Sequence, residues 1–190
     1  MADGYAEIGT TGLKQFNGRY EERYIPELRG PEGLARLGSL LRREPAAYVV
    51  NNAISLTARQ ATWKVTPASD KPEDKAVAEF VEQCVDDMST TFQTVNDFAL
   101  SAQAFGFADL HIVWKRRSGP KGQPESKYKD GMVGLRKLAI RRQETIDQWL
   151  IDENGGHKAM IQIDPNTGLK YAPVEIERLL HFVGGSELVS

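Results

Sequence analysis

The sequence predicts an α+β protein: several amphipathic helices packed on a mixed, mainly antiparallel sheet. Three observations carry that prediction. Between Thr91 and Arg117 (TFQTVNDFALSAQAFGFADLHIVWKRR) the hydrophobic period changes from helical to extended in one step. Helical stripes precede that stretch. Segments with a period of two follow it, joined by turn signals such as the Asn-Gly pair of DENGG (152–156).

In chain order, residues 1–29 scatter Gly4, Gly9, Gly12 and Gly18 among tyrosines and charges without a sustained period, which predicts an extended N-terminal arm. Leu13, Phe16, Tyr20, Tyr24 and Ile25 make it more apolar than a disposable tail, so these five are the candidates for a contact with a neighbouring subunit. Residues 30–190 form the predicted domain. Pro31 suits a first helical turn, Leu34, Leu37 and Leu41 share a face, and Arg42 and Arg43 stand at the negative end. A second helix starts at Pro45 with the stripe Val49, Val50, Ala53, Ile54 and Thr57, leaving Asn51 and Asn52 for solvent. ATWKVTPAS (61–69) reads as a short strand stopped by Pro67.

Asp70 and Glu73 have capping-box spacing ahead of Val77, Phe80, Val81, Cys84, Val85 and Met88. Cys84 lies inside that stripe, which suits a small buried hydrophobe better than a reactive thiol. Thr90 and Gln93 open the next helix, and Gly106 closes it in the left-handed conformation. Ala108, Leu110, Ile112 and Trp114 then line a dry strand face, with Phe107, Asp109, His111 and Val113 on a mixed one. The run KRRSGPKGQPESKYKDG (115–131) is an exposed connection. MVGLRKLAIR (132–141) reads as a strand and QETIDQWLI (143–151) as a turn leading into another; HKAMIQI (157–163, with Ala159, Ile161 and Ile163 on one face) and Leu179 to Val183 also read as strands, the last preceded by one helical turn at Val174 to Glu177.

Composition narrows the function. The 190 residues are 41% hydrophobic and 26% charged, with a net charge of -2, so no global field favours a nucleic acid or a membrane surface. A single cysteine forbids an intramolecular disulfide, no run of about 18 apolar residues would span a bilayer, and MADGYAEIGTTG is no signal peptide; the expectation is a cytosolic chain without a membrane partner. GxxxxGK[ST] and GxGxxG are absent, and His111, His157 and His181 stand at no ligand spacing. No catalytic residue, metal or cofactor is predicted. Two patterns come nearest. Asp109 and His111 share a strand face, as an oriented general base would require. Asp109, Glu125 and Lys127 fit the D…ExK set with which a metal-dependent nuclease holds a cation and polarises water. ESK falls in a loop, however, where that chemistry needs a strand.

The segments GLKQFNGRYEERYIPELRG (12–30), WKVTPASDKPEDKAVAEFV (63–81), QAFGFADLHIVWKRR (103–117), LRKLAIRRQETIDQWLIDENGG (135–156) and VEIERLLHF (174–182) together resemble the N-terminal, wing-like part of phage portal proteins of the Mu-like family. The resemblance implies a structural subunit, not an enzyme. It implies a homo-oligomeric ring, typically of twelve, at a capsid vertex of the virion, assembled in the host cytoplasm or encoded by a prophage. DNA would be packaged and ejected through that ring. The partners so implied are the large terminase, capsid and scaffold proteins, a neck or tail adaptor, and double-stranded DNA in the channel. Only the wing is matched; stem, clip and crown have no counterpart in these 190 residues. Candidates for contact with DNA or a partner are Lys115, Arg116, Arg117, Lys121, Lys127 and Lys129. The alternatives are the D…ExK nuclease and a generic α+β interaction domain of another assembly.

Overall fold

The structure is a computed structural model, and it describes residues 15–16, 19–20, 27 and 30–184. In the arm, β1 (Gln15–Phe16) and β2 (Arg19–Tyr20) pair as a minimal antiparallel hairpin that lies beside β5 (Ile146–Ile151). The side chains of Phe16 and Tyr20, and Leu13, Tyr24 and Ile25 altogether, lie outside the described residues.

Five helices follow. α1 (Gly30–Arg43) and α2 (Pro45–Arg59) meet at Glu44, as the two prolines predict. α3 (Pro72–Asp86) starts behind Lys71, whose side chain makes no cap; the Asp70/Glu73 capping box does not form, because Pro72 at the helix start shifts the cap to Lys71. The cap of α4 (Phe92–Ala99) is Thr91, whose hydroxyl accepts from the Thr94 N–H at 3.2 Å, one residue beyond the predicted Thr90. A break at Leu100 and Ser101 separates it from α5 (Ala102–Phe105), and Gly106 closes α5 at φ 84° as expected.

The fold is α+β as predicted, and apart from the β1–β2 hairpin the strands are divided between two three-stranded sheets. β3 (Phe107–Arg116) is central in the first, between β4 (Val133–Arg141) and β8 (Leu179–Val183). In the second, β6 (His157–Gln162) runs between β5 and β7 (Val174–Glu175). Among the described residues every strand pairing is antiparallel, where a mixed, mainly antiparallel sheet was expected. The DENGG hairpin forms: Asp152 Oδ1 accepts from the N–H groups of Asn154 (2.9 Å) and Gly156 (2.7 Å), and Gly155 sits at φ 92°. The predicted helical turn near Val174 is the pair β7 followed by a 3-10 turn, Ile176–Arg178.

Two apolar clusters hold this together. Val95, Leu110 and Leu138 pack with Met88, Phe98, Ile112 and Ile140 between the helices and the first sheet. Ile146, Met160 and Leu179 pack with Phe107, Trp149, Val174 and Ile176 between the sheets. β6 is therefore covered on both faces: Ala159 and Met160 are both buried, and the single face predicted through Ala159, Ile161 and Ile163 is replaced by burial of neighbours.

Two further expectations fail for want of a covering element. Residues 61–67 form no strand; Pro67 lacks a donor and Trp63 is left exposed, touching Phe92 edge-on at 5.7 Å between ring centroids. The second concerns α2. Its predicted stripe exists, but Val49, Val50 and Ile54 point to solvent, with Val49 63% and Val50 61% exposed. Ser55 is buried and Asn51 and Asn52 are half-buried, the reverse of the expected orientation.

Candidate functional site

The basic segment after Trp114 was the most site-like stretch in the sequence, and the structure divides it residue by residue. Burial alternates there: Lys115 and Arg117 are buried, Trp114, Arg116 and Ser118 exposed. A register shift between Val113 and Trp114 interrupts the strand period and moves the inward face from Leu110 and Ile112 to Lys115 and Arg117, so Trp114, expected on the dry face, is turned outward.

Lys115 is committed inward. Its Nζ lies 2.9 Å from Asp87 Oδ2 and donates to the main-chain oxygens of Asp87 (2.6 Å) and Glu125 (3.0 Å). The Ser126 hydroxyl donates to the same Oδ2 at 2.6 Å, and the Lys127 N–H to Oδ1 at 2.7 Å. Burial opposes the Asp87 charge, but the donors from Ser126, Lys127 and Lys115 outweigh it and hold the carboxyl below its ordinary value. The end of α3 is thereby bolted to the loop.

Arg117 is the second bolt. Its guanidinium carbon stands 4.1 Å from the ring centroid of Tyr128 and 5.1 Å from that of Phe80. Nη2 donates to Gln83 Oε1 at 2.6 Å and pairs with Asp130 at 3.0 Å. Nε and Nη1 have no hydrogen-bond partner, and the two ring faces take that place. Gly134 makes room: a Cβ there would lie 3.2 Å from Arg117 Cδ and 3.3 Å from Cys84 Sγ.

Lys115 and Arg117 thus have nothing left to offer a partner at the surface. Arg116, Lys121, Lys127 and Lys129 are exposed. Lys127 pairs with Asp86 at 2.9 Å, and that carboxylate raises its pKa. Asp87 and Ser126 were missed by sequence reasoning, since neither stands in a motif, and the bulge that turns Lys115 inward leaves no mark in the hydrophobic alternation.

The catalytic patterns come apart. Asp109, fully buried, faces His181 rather than His111: His181 Nδ1 is 2.8 Å from Asp109 Oδ1. Trp149 stacks on His157 at 4.6 Å, and His157 meets His181 edge-on at 5.2 Å. His111 instead accepts at Nδ1 from Arg141 Nη2 (2.9 Å), because a guanidinium can only donate; its proton therefore sits on Nε2. Burial and the charges of Arg141 and Arg178 hold that imidazole below its usual pKa. Glu125 and Lys127 adjoin Lys115, six strand residues and about 20 Å along β3 from Asp109. The D…ExK residues are not brought together. Among the described residues no three His, Cys, Asp or Glu side chains are placed to hold a metal ion, and no helix is long and apolar enough to cross a membrane.

What the surface does offer is unpartnered apolar area: Val49, Val50, Ile54 and Leu56 on α2, Val77 and Val81 on α3, and Trp114 and Val133 at the far end of the β3–β4 ribbon. Such area marks interaction surfaces. No curated protein matches the chain. The family model described as the portal protein of Mu bacteriophage matches residues 39–187, from the last turn of α1 to beyond β8, and so takes in nearly every element just described. The chain belongs to the portal protein family of Mu bacteriophage.

Proposed function

We propose that this chain is a wing-like portion of a portal subunit, one of a closed ring at a capsid vertex through which DNA enters and leaves. The observation that carries the proposal is the family match across residues 39–187. The exposed apolar strips support it, because a ring closes through contacts between two different patches on successive copies. In this reading the work is assembly and conduction, not catalysis. The ring would number about twelve copies, as portal rings typically do. The large terminase, capsid, scaffold and a neck or tail adaptor would dock on its faces, in the host cytoplasm first and in the virion afterwards.

The arm (residues 1–29) remains a proposed subunit contact. For the loop, the proposal narrows to the exposed Arg116, Lys121, Lys127 and Lys129 as groups that touch DNA or a partner. Four such cations on a chain of net charge -2 give weak, salt-sensitive contact, which suits DNA that has to slide. Native mass spectrometry with negative-stain imaging tests the central statement. Rings or higher oligomers are expected; a strictly monomeric chain over the accessible concentration range overturns it.

A further inference from the structure

We infer that the α1–α2 hairpin of one copy grips α3 of the next copy, so that these two surfaces form one ring contact. The inference rests on the ring reading and names its partner surfaces. On the hairpin side, α2 turns Val49, Val50 and Ile54 outward while Ser55 is buried and Asn51 and Asn52 half-buried, which leaves an apolar strip that its own subunit does not cover. The neighbouring helix supplies cations: Arg36 and Arg43 lie seven residues apart, about two helical turns, and so on one exposed face with Leu40 between them. Neither arginine makes an ion pair among the described residues. From Gly30 to Arg59 the hairpin carries four arginines against two glutamates.

The complementary surface is α3. It carries five carboxylates against Lys75 over Pro72–Asp86. Glu79, Glu82 and Asp86 line a surface hollow with Gln83 and Tyr128. Asp86 already holds Lys127, whereas Glu79 and Glu82 have no cation among the described residues. At 100° per residue, Val77 and Val81 fall on a different flank of the same helix from this acidic row, and both are exposed, at 64% and 42%. An acidic flank and an apolar flank on one helix match a basic helix and an apolar helix on one hairpin. A guanidinium is also the cation best suited to a hollow that offers carboxylates and an aromatic ring. Among the described residues the hairpin of one copy packs chiefly on the 3-10 turn Gln143–Thr145, on β5 and on α4 rather than on α3, so α3 of the same copy does not cover it. The occupant is a second copy, placed head to tail.

Disulfide trapping in the full chain tests this. Native Cys84 is buried, so new cysteines report alone. Val50→Cys combined with Val81→Cys should give a ladder of cross-linked species beyond the dimer under mild oxidation. Arg36→Glu with Arg43→Glu in the same chain should cut that ladder several-fold. Dimers from Val50→Cys alone would overturn the inference, since they report a two-fold contact between identical faces. A wild-type chain that forms rings while the double-cysteine chain stays uncross-linked would also overturn it, and would leave the ring reading standing. A wild-type chain that is monomeric throughout removes both.

Discussion

Asp87 and Lys115 show how much a single buried pair commits the chain to one arrangement. Removing one partner of such a pair leaves the other charge uncompensated, so Asp87→Asn should lower unfolding free energy by about 3–5 kcal/mol in urea titration. Ser126→Ala, which removes one donor from the same carboxylate, should cost about 1–2 kcal/mol. Gly184 is a second single-atom constraint. Its N–H donates to Gly106 O at 2.8 Å, and a Cβ would come within 2.1 Å of the Ala102 oxygen. Gly184→Ala therefore has to push β8 from α5, and a loss of about 1–3 kcal/mol is expected. None of these roles was legible in the sequence. Asp87 reads as one more charge after a helix, and a Lys-Arg-Arg run reads as solvated. Only the partner strand and helix decide that alternate members of that run face inward.

Among the elements, α1, α2, the Gly106 stop, the β5–β6 hairpin and β8 were legible because each announces its ends chemically. Proline starts two helices, glycine in the left-handed region ends another, and Asp-x-Asn-Gly-Gly wraps a turn around one carboxylate. The facing of α2 was not legible. Periodicity reports that a stripe exists, not what covers it, and a stripe destined for another molecule looks the same as one destined for the core. The inversion makes a prediction opposite to the usual one for an amphipathic helix. In the isolated chain, Ile54→Ser should change stability by less than about 0.5 kcal/mol, as an exposed position does. Ser55→Leu, on the inward face, should cost about 1–3 kcal/mol by overpacking. Thermal or urea unfolding of the two variants separates these outcomes.

For the whole molecule, acid should act in two stages. His111 is held below 6.5 by burial, then by Arg141 and Arg178; His157 is held below it by burial, then by His181, against the opposing pull of Asp109 and Asp152. As pH falls through 6.5 the unfolded chain takes up protons that the folded imidazoles refuse, so stability drops there. Asp87 adds a second loss. Its contribution is complete above 3.8 and disappears as pH falls from that value through the lower folded one. Urea midpoints followed from neutral pH downward should show both steps, and His157→Gln should shrink the first to the share that His111 contributes while leaving the second unchanged.

A helix that is greasier outside than inside also decides which form of this protein keeps best in solution. Under the ring reading the lone chain is the less soluble species and the assembled one the better behaved, so recovery from an expression host is expected to track how completely copies find one another, and dilution to be more damaging than concentration.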